Sequence, residues 1–229
     1  MKRLLVAVLS LSLAAPLFAQ NKEDERINAS YQVLKEILDT PDKGIPHDLL
    51  NKAECVIIYP SVKKGAFIVG ASYGRGVITC RTGANLHGPW SAPSMFAIEG
   101  GSFGLQIGGQ ATDFVLLVMN DQGASSVLKS KVKLGGDASI AAGPVGRNTS
   151  AETDVAMKAE ILSWSRARGV FAGIDLSGST MRSDDGANKE LYGKDLTATQ
   201  IVKDGDVKPP AAAHQLLALL NRVSPPVKK

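Results

Sequence analysis

Residues 55–81 read CVIIYPSVKKGAFIVGASYGRGVITCR. Short runs of β-branched and aromatic residues are broken by glycine and proline, which is the texture of closely spaced strands. Residues 56–59 predict an apolar strand that stops at Pro60. Residues 65–71 and 75–81 predict two more, joined by a hairpin turn at Ser72-Tyr73-Gly74. Glycines inside strands favour a curved sheet and close approach of backbones.

Downstream, residues 94–98, 103–107 and 113–120 predict further strands, with a turn at Asn120-Asp121-Gln122-Gly123. Residues 132–142 alternate weakly. Residues 149–152, TSAE, resemble a capping box. Residues 160–166 and 170–176 predict a hairpin across residues 166–169. No βαβ alternation occurs, which excludes a doubly wound sheet. The links are short, so the strands should pair antiparallel. The fold class expected is α+β: a predominantly antiparallel, curved or barrel-like, glycine-rich sheet with an N-terminal helix and short C-terminal helices.

The N-terminal helix is read over residues 22–39, where Ile27, Tyr31, Leu34 and Leu38, with Val33 and Ile37, recur at helical spacing. A short helix should follow Pro46. Residues 195–202 and 211–222 predict helical pieces near the other end.

Lys2 and Arg3 precede an apolar run over residues 4–13, and Ala14 to Ala19 supply small residues for cleavage. This is the layout of a secretory signal peptide. The run is shorter than the roughly 20 residues a membrane helix needs. The expected organisation is a signal peptide over residues 1–19, one domain over residues 20–205, and a helical tail over residues 206–229. The expected location is periplasmic or secreted. Loss of Lys2 and Arg3 lowers the formal charge from +4 to +2, so no global basic field marks a nucleic-acid binder. Cys55 and Cys80 fit no zinc spacing. An exported protein would permit a disulfide between them, and two buried thiols on neighbouring strands fit as well.

Catalytic patterns find little support. Gly-x-Ser-x-Gly occurs around Ser72 and Ser102, but strand-like residues follow both. A nucleophile elbow needs a strand-to-helix turn. Ser61 and Ser126 open Ser-x-x-Lys matches without partner motifs. His47, His87 and His214 lie far apart, and no phosphate-cradling glycine loop occurs. Asp113, Asp137 and Asp175 read better as turn-fixing residues than as an acid–base pair. The chain is therefore expected to be no enzyme, with no cofactor and no metal.

Three basic clusters could meet an anionic surface. Lys129, Lys131 and Lys133 alternate, which on a strand places them on one face. Lys63 and Lys64 follow Pro60. Arg166 and Arg168 flank a turn. Each basic residue near an anionic membrane is worth about 1 kcal/mol.

Five blocks then resemble the SYLF domain family. They are residues 60–78 (PSVKKGAFIVGASYGRGVI), 100–120 (GGSFGLQIGGQATDFVLLVMN), 133–147 (KLGGDASIAAGPVGR), 159–178 (AEILSWSRARGVFAGIDLSG) and 188–193 (NKELYG). The resemblance covers about residues 25–205. It implies a lipid-binding module, since eukaryotic members bind phosphoinositides and yeast relatives also bind actin. This sequence looks like an exported, single-domain bacterial type, with no stretch resembling an SH3 or FYVE domain. The family's N-terminal helix carries basic residues that contribute to membrane binding. Here residues 22–39 carry more acids than bases. The expected partner is an anionic phospholipid or membrane surface, with a protein partner in the envelope or a bound acyl chain as the alternative.

Overall fold

The computed structural model describes residues 21–40, 44–67, 69–83, 86–101, 111–145, 158–167 and 170–226. The chain runs α1 (Lys22–Leu38), α2 (His47–Lys52), β1 (Cys55–Phe67), β2 (Val69–Cys80), β3 (Ser94–Gly101), β4 (Thr112–Val118), α3 (Asp121–Val127), β5 (Lys131–Lys133), β6 (Ile140–Ala142), β7 (Ile161–Ala167), β8 (Val170–Gly173) and β9 (Thr180–Ser183). Then come α4 (Asp185–Tyr192), a π-helical turn (Gln200–Asp204), a 3-10 turn (Ala211–Ala213) and α5 (His214–Val223).

The strands form one sheet in the order β5-β9-β3-β2-β1-β4-β7-β6, with β8 also on β7. Pairing is antiparallel except between β6 and β7, which run parallel. The expectation of short antiparallel links fails there, because β6 returns to the sheet from its opposite edge. That return also dictates the curl. Eight strands laid flat would hold β5 and β6 roughly 34 Å apart. The link from Lys133 to Ile140 reaches at most about 25 Å. The sheet therefore curls into a half-barrel, and a bridge between Leu134 and Ala138 closes the short link.

Both faces of the sheet are buried. Val56, Ile58, Val77, Val115, Leu117 and Leu162 face α1, α2 and α5. Ile57, Tyr59, Ile78, Phe114, Leu116 and Val118 face α3 and the π-helical turn. The period-2 alternation thus distributes apolar residues to two cores, which is why β1 and β4 read as continuous apolar runs. α1 starts at Asn21, whose side-chain oxygen accepts the Glu23 N–H at 2.8 Å. Glu23, Asp24 and Glu25 occupy its first turn, where acids suit the helix dipole. Ile27, Val33, Leu34 and Ile37 are buried against the sheet.

Several local expectations change. Pro60 does not end β1. The strand crosses an irregularity between Ile58 and Lys63, with Ser61 at φ 56°. The β1–β2 ladder pairs Lys63 with Tyr73 and Phe67 with Val69. Ser72-Tyr73-Gly74 is therefore strand, and the chain reverses between Phe67 and Val69. Glycine patterning misplaces this turn because Gly74 and Gly76 serve packing instead. A Cβ on Gly76 would lie 2.0 Å from the Ile58 carbonyl oxygen. Asn120 to Gly123 open α3 rather than a turn, with the Asn120 side chain accepting the Gly123 N–H at 2.8 Å. Residues 188–193 end α4, where buried Asn188 accepts the Met95 N–H at 2.7 Å and Tyr192 donates to the Pro93 carbonyl at 2.5 Å. The capping-box residues 149–152 and the strand expected at 103–107 lie outside the described residues.

Cys55 and Cys80 are opposed in the β1–β2 register and form a disulfide. Next to it, Arg81 is buried to 2 % exposure. Its guanidinium donates to the carbonyls of Ala53 (3.3 Å), Gly88 (3.2 Å), Pro225 (3.3 Å) and Ser224 (3.0 Å), and to the Ser224 hydroxyl (2.5 Å). Ala53 and Ser224 cap the C-termini of α2 and α5, so two partially negative helix ends meet the cation. The Trp90 ring covers it at 4.7 Å. This clamp ties α5 to the end of β2.

Candidate functional site

At the other end of β2, the first turns of α1 cross the β1 irregularity. Lys22 and Arg26, one turn apart, stand over Lys63, Tyr73 and Arg75. These side chains, with Glu25, line a cleft of about 500 Å³. Lys63 and Tyr73 are directly opposed, and Arg75 lies two residues along β2, on the same face. Tyr73 is 42 % exposed, a large aromatic left facing solvent.

The two arginines are held from behind. Asp184 Oδ2 lies 3.3 Å from Arg75 Nε and 3.8 Å from Arg26 Nη1. Glu23 lies 3.7 Å from Arg26 Nη2. Arg75 also donates to the Tyr73 hydroxyl at 2.9 Å, and that bond, with Asp184, raises its pKa. Lys22 and Lys63 have no ion pair among the described residues. The cleft therefore presents one exposed, positioned guanidinium group, that of Arg75, and two solvated ammonium groups, with the largely buried Arg26 guanidinium behind them adding positive charge at the back of an oxyanion site.

The other expected residues divide. Lys131 and Lys133 are exposed on β5 with Val132 buried between them, as the alternation requires. Lys129 is also exposed but precedes the strand, one residue after the C-cap of α3; three residues are all that the β5–β9 pairing spans. Strands β9, β3 and β2 separate this edge from β1, so these lysines do not join Lys63. Arg166 is engaged within the fold. Its Nε donates to Asp113 Oδ2 at 2.7 Å, it contacts Glu36, and it stands 5.9 Å over the Phe171 ring. Asp113 in turn accepts the Ser61 N–H at 2.8 Å, and burial raises its pKa. The side chain of Lys64, and Arg168, lie outside the described residues.

Tyr73 and Arg75 escape the sequence reading, which sets Lys22 and Arg26 aside because the polar face of their helix carries more acids than bases. The acids of the first turn hide the basic pair of α1 in any charge sum. The one available signal is the four-residue spacing of Lys22 and Arg26.

Ser72 sits buried in mid-strand and donates to the Gly100 carbonyl at 3.3 Å, so no strand-to-helix elbow presents it. Ser102 lies outside the described residues. His47 and His214 open α2 and α5. Among the described residues, no cluster of three or more His, Cys, Asp or Glu could hold a metal ion. No described helix is long and apolar enough to cross a membrane.

Residues 99–223 match the family model Ysc84, described as Las17-binding protein actin regulator. The chain belongs to the Ysc84 family. Curated relatives agree with that placement. The rat SH3 domain-containing YSC84-like protein 1 is 35 % identical over 182 residues, 79 % of this chain and 52 % of its own length. An SH3 domain-containing protein of Schizosaccharomyces pombe is 37 % identical over 180 residues, 77 % of this chain and 41 % of its own. LAS seventeen-binding protein 3 of Saccharomyces cerevisiae is 32 % identical over 205 residues, 88 % of this chain and 43 % of its own. The chain thus spans about half the length of the curated relatives it matches. The Ysc84 match runs from β3 to the end of α5. It takes in Lys129, Lys131, Lys133 and Arg166, while the cations of the cleft precede it.

Proposed function

We propose that this Ysc84-family chain is a non-enzymatic, peripheral binder of anionic phospholipid surfaces. The observation that carries the reading is the convergence of Lys22, Arg26, Lys63 and Arg75 on one open cleft beside an exposed tyrosine. Phosphate oxygens replace water well at such a site, because guanidinium groups are weakly hydrated and already oriented. Lys64 and Arg168, by sequence, and Lys129, Lys131 and Lys133, at the β5 edge, add longer-range attraction. Arg166 adds less, since Asp113 and Glu36 already meet its charge. The signal-peptide pattern of residues 1–19 and the Cys55–Cys80 disulfide together support export to an oxidising compartment.

The test is sedimentation of the protein with neutral and with anionic vesicles, at low and at physiological salt. Binding should require anionic lipid and weaken with salt. The triple variant Lys22→Glu, Lys63→Glu, Arg75→Glu should lose about a hundredfold in affinity, at about 1 kcal/mol for each basic residue removed. Unchanged binding would remove the cleft from the mechanism. A protein-binding role is the second reading, favoured by a relative named for binding LAS seventeen. It would be supported if the chain ignored both kinds of vesicle.

A further inference from the structure

The cleft is not positive throughout. Lys22, Glu25, Arg26 and Ala29 line it from α1, at a spacing that places them on one face of the helix. Glu25 is the one carboxylate in that lining. The neighbouring acids are already engaged. Glu23 is buried behind Arg26, and Asp184 is shared between Arg26 and Arg75. Glu25 is exposed, and its carboxylate makes no ion pair among the described residues. A free negative pole therefore shares the cleft with the unpaired ammonium groups of Lys22 and Lys63. A carboxylate in that position repels a phosphate and attracts a cation.

We infer that the cleft prefers phospholipid headgroups that carry a primary ammonium group beside the phosphate, of the ethanolamine or serine kind. The phosphate meets Lys63 and Arg75, and the ammonium group donates to Glu25. This rests on the lipid-binding reading above and names the headgroup that the same site selects. The charge patterns correspond. In such a headgroup a short carbon link holds the ammonium group near the phosphate without contact. In the cleft Glu25 likewise stands among the cations without pairing to any of them. Hydrogen bonding sharpens the choice. A primary ammonium group has three N–H donors for a carboxylate, whereas the quaternary ammonium of choline has none. A glycerol headgroup brings no cation to Glu25 at all.

The test compares two sets of vesicles with the same fraction of phosphatidylglycerol. The remaining lipid is phosphatidylcholine in one set and a mixture of phosphatidylcholine and phosphatidylethanolamine in the other, so the net surface charge is equal. The protein should sediment with the ethanolamine set about threefold more tightly, the gain expected of one solvated ion pair. Glu25→Gln, at an exposed position, should keep the circular dichroism spectrum and bind the two sets alike. Equal binding of the two sets by the parent protein would overturn the headgroup assignment and leave the anionic-surface reading standing. So would a preference that Glu25→Gln retains, since the bilayer and not the carboxylate would then be its source. Failure of the parent protein to sediment with either set would overturn both readings.

Discussion

Arg75 and Arg81 stand six residues apart on the same stretch of chain and do opposite things. Arg81, past the end of β2, spends all five donors on neutral oxygens of Ala53, Gly88, Ser224 and Pro225. Burial lowers its pKa, and helix ends and an aromatic ring compensate the charge in place of a carboxylate. Arg75 lies half exposed, steered by Tyr73 and Asp184, with donors left for a ligand. The difference teaches that the role of a basic residue follows from how many of its donors the fold has already used. Arg166 falls between them, since Asp113 and Glu36 occupy it within a partly buried site.

The sharpest way to break this contrast is to remove Arg81. Arg81→Ala would leave several buried carbonyls without donors, each costing about 1–3 kcal/mol. A net loss of about 3 kcal/mol in denaturant unfolding is expected, with vesicle affinity of the folded protein unchanged. Arg81→Lys should recover little, because three donors on a flexible stem cannot reproduce a planar fork. Full stability in either variant would show that the clamp is dispensable.

Arg75→Ala should give the reverse pattern. Its ion pair is partly solvated, and such pairs contribute about 0–1 kcal/mol. Affinity for anionic vesicles should fall about fivefold, while the unfolding midpoint hardly moves. A large stability loss with intact binding would erase the distinction between the two arginines.

The smallest effect concerns Glu54, whose backbone carbonyl accepts the Arg81 N–H at 2.7 Å. Its carboxyl does not pair with Arg81. Burial, then Asp121, pushes its pKa up to about 7, with Lys203 opposing. A carboxyl raised in the folded state favours folding while neutral. That advantage is complete below the usual value near 4.5 and is lost as pH rises toward 7. Glu54→Gln should therefore match the parent near pH 4 and exceed it by about 1 kcal/mol above pH 7, allowing for solvent screening. Thermal melts across that range would read it, and a constant difference at all pH values would count against the buried carboxyl.

The amino-acid sequence determined the α+β class, the N-terminal helix, the family blocks and the buried runs of β1 and β4, because these depend on periodicity and composition along the chain. Val132 between Lys131 and Lys133 was legible for the same reason. The reversal between Phe67 and Val69 was not, since Gly74, which suggested a turn at 72–74, and Gly76 let Val62 and Ile58 come close across the ladder. Nor was the cleft, whose cations come from α1, β1 and β2. Only the tertiary structure decided that Lys22 and Arg26 stand over Lys63 and Arg75, that Arg81 is enclosed, and that β6 returns on the far edge. Those facts depend on contacts between residues far apart in the chain, and local spacing carries no record of them.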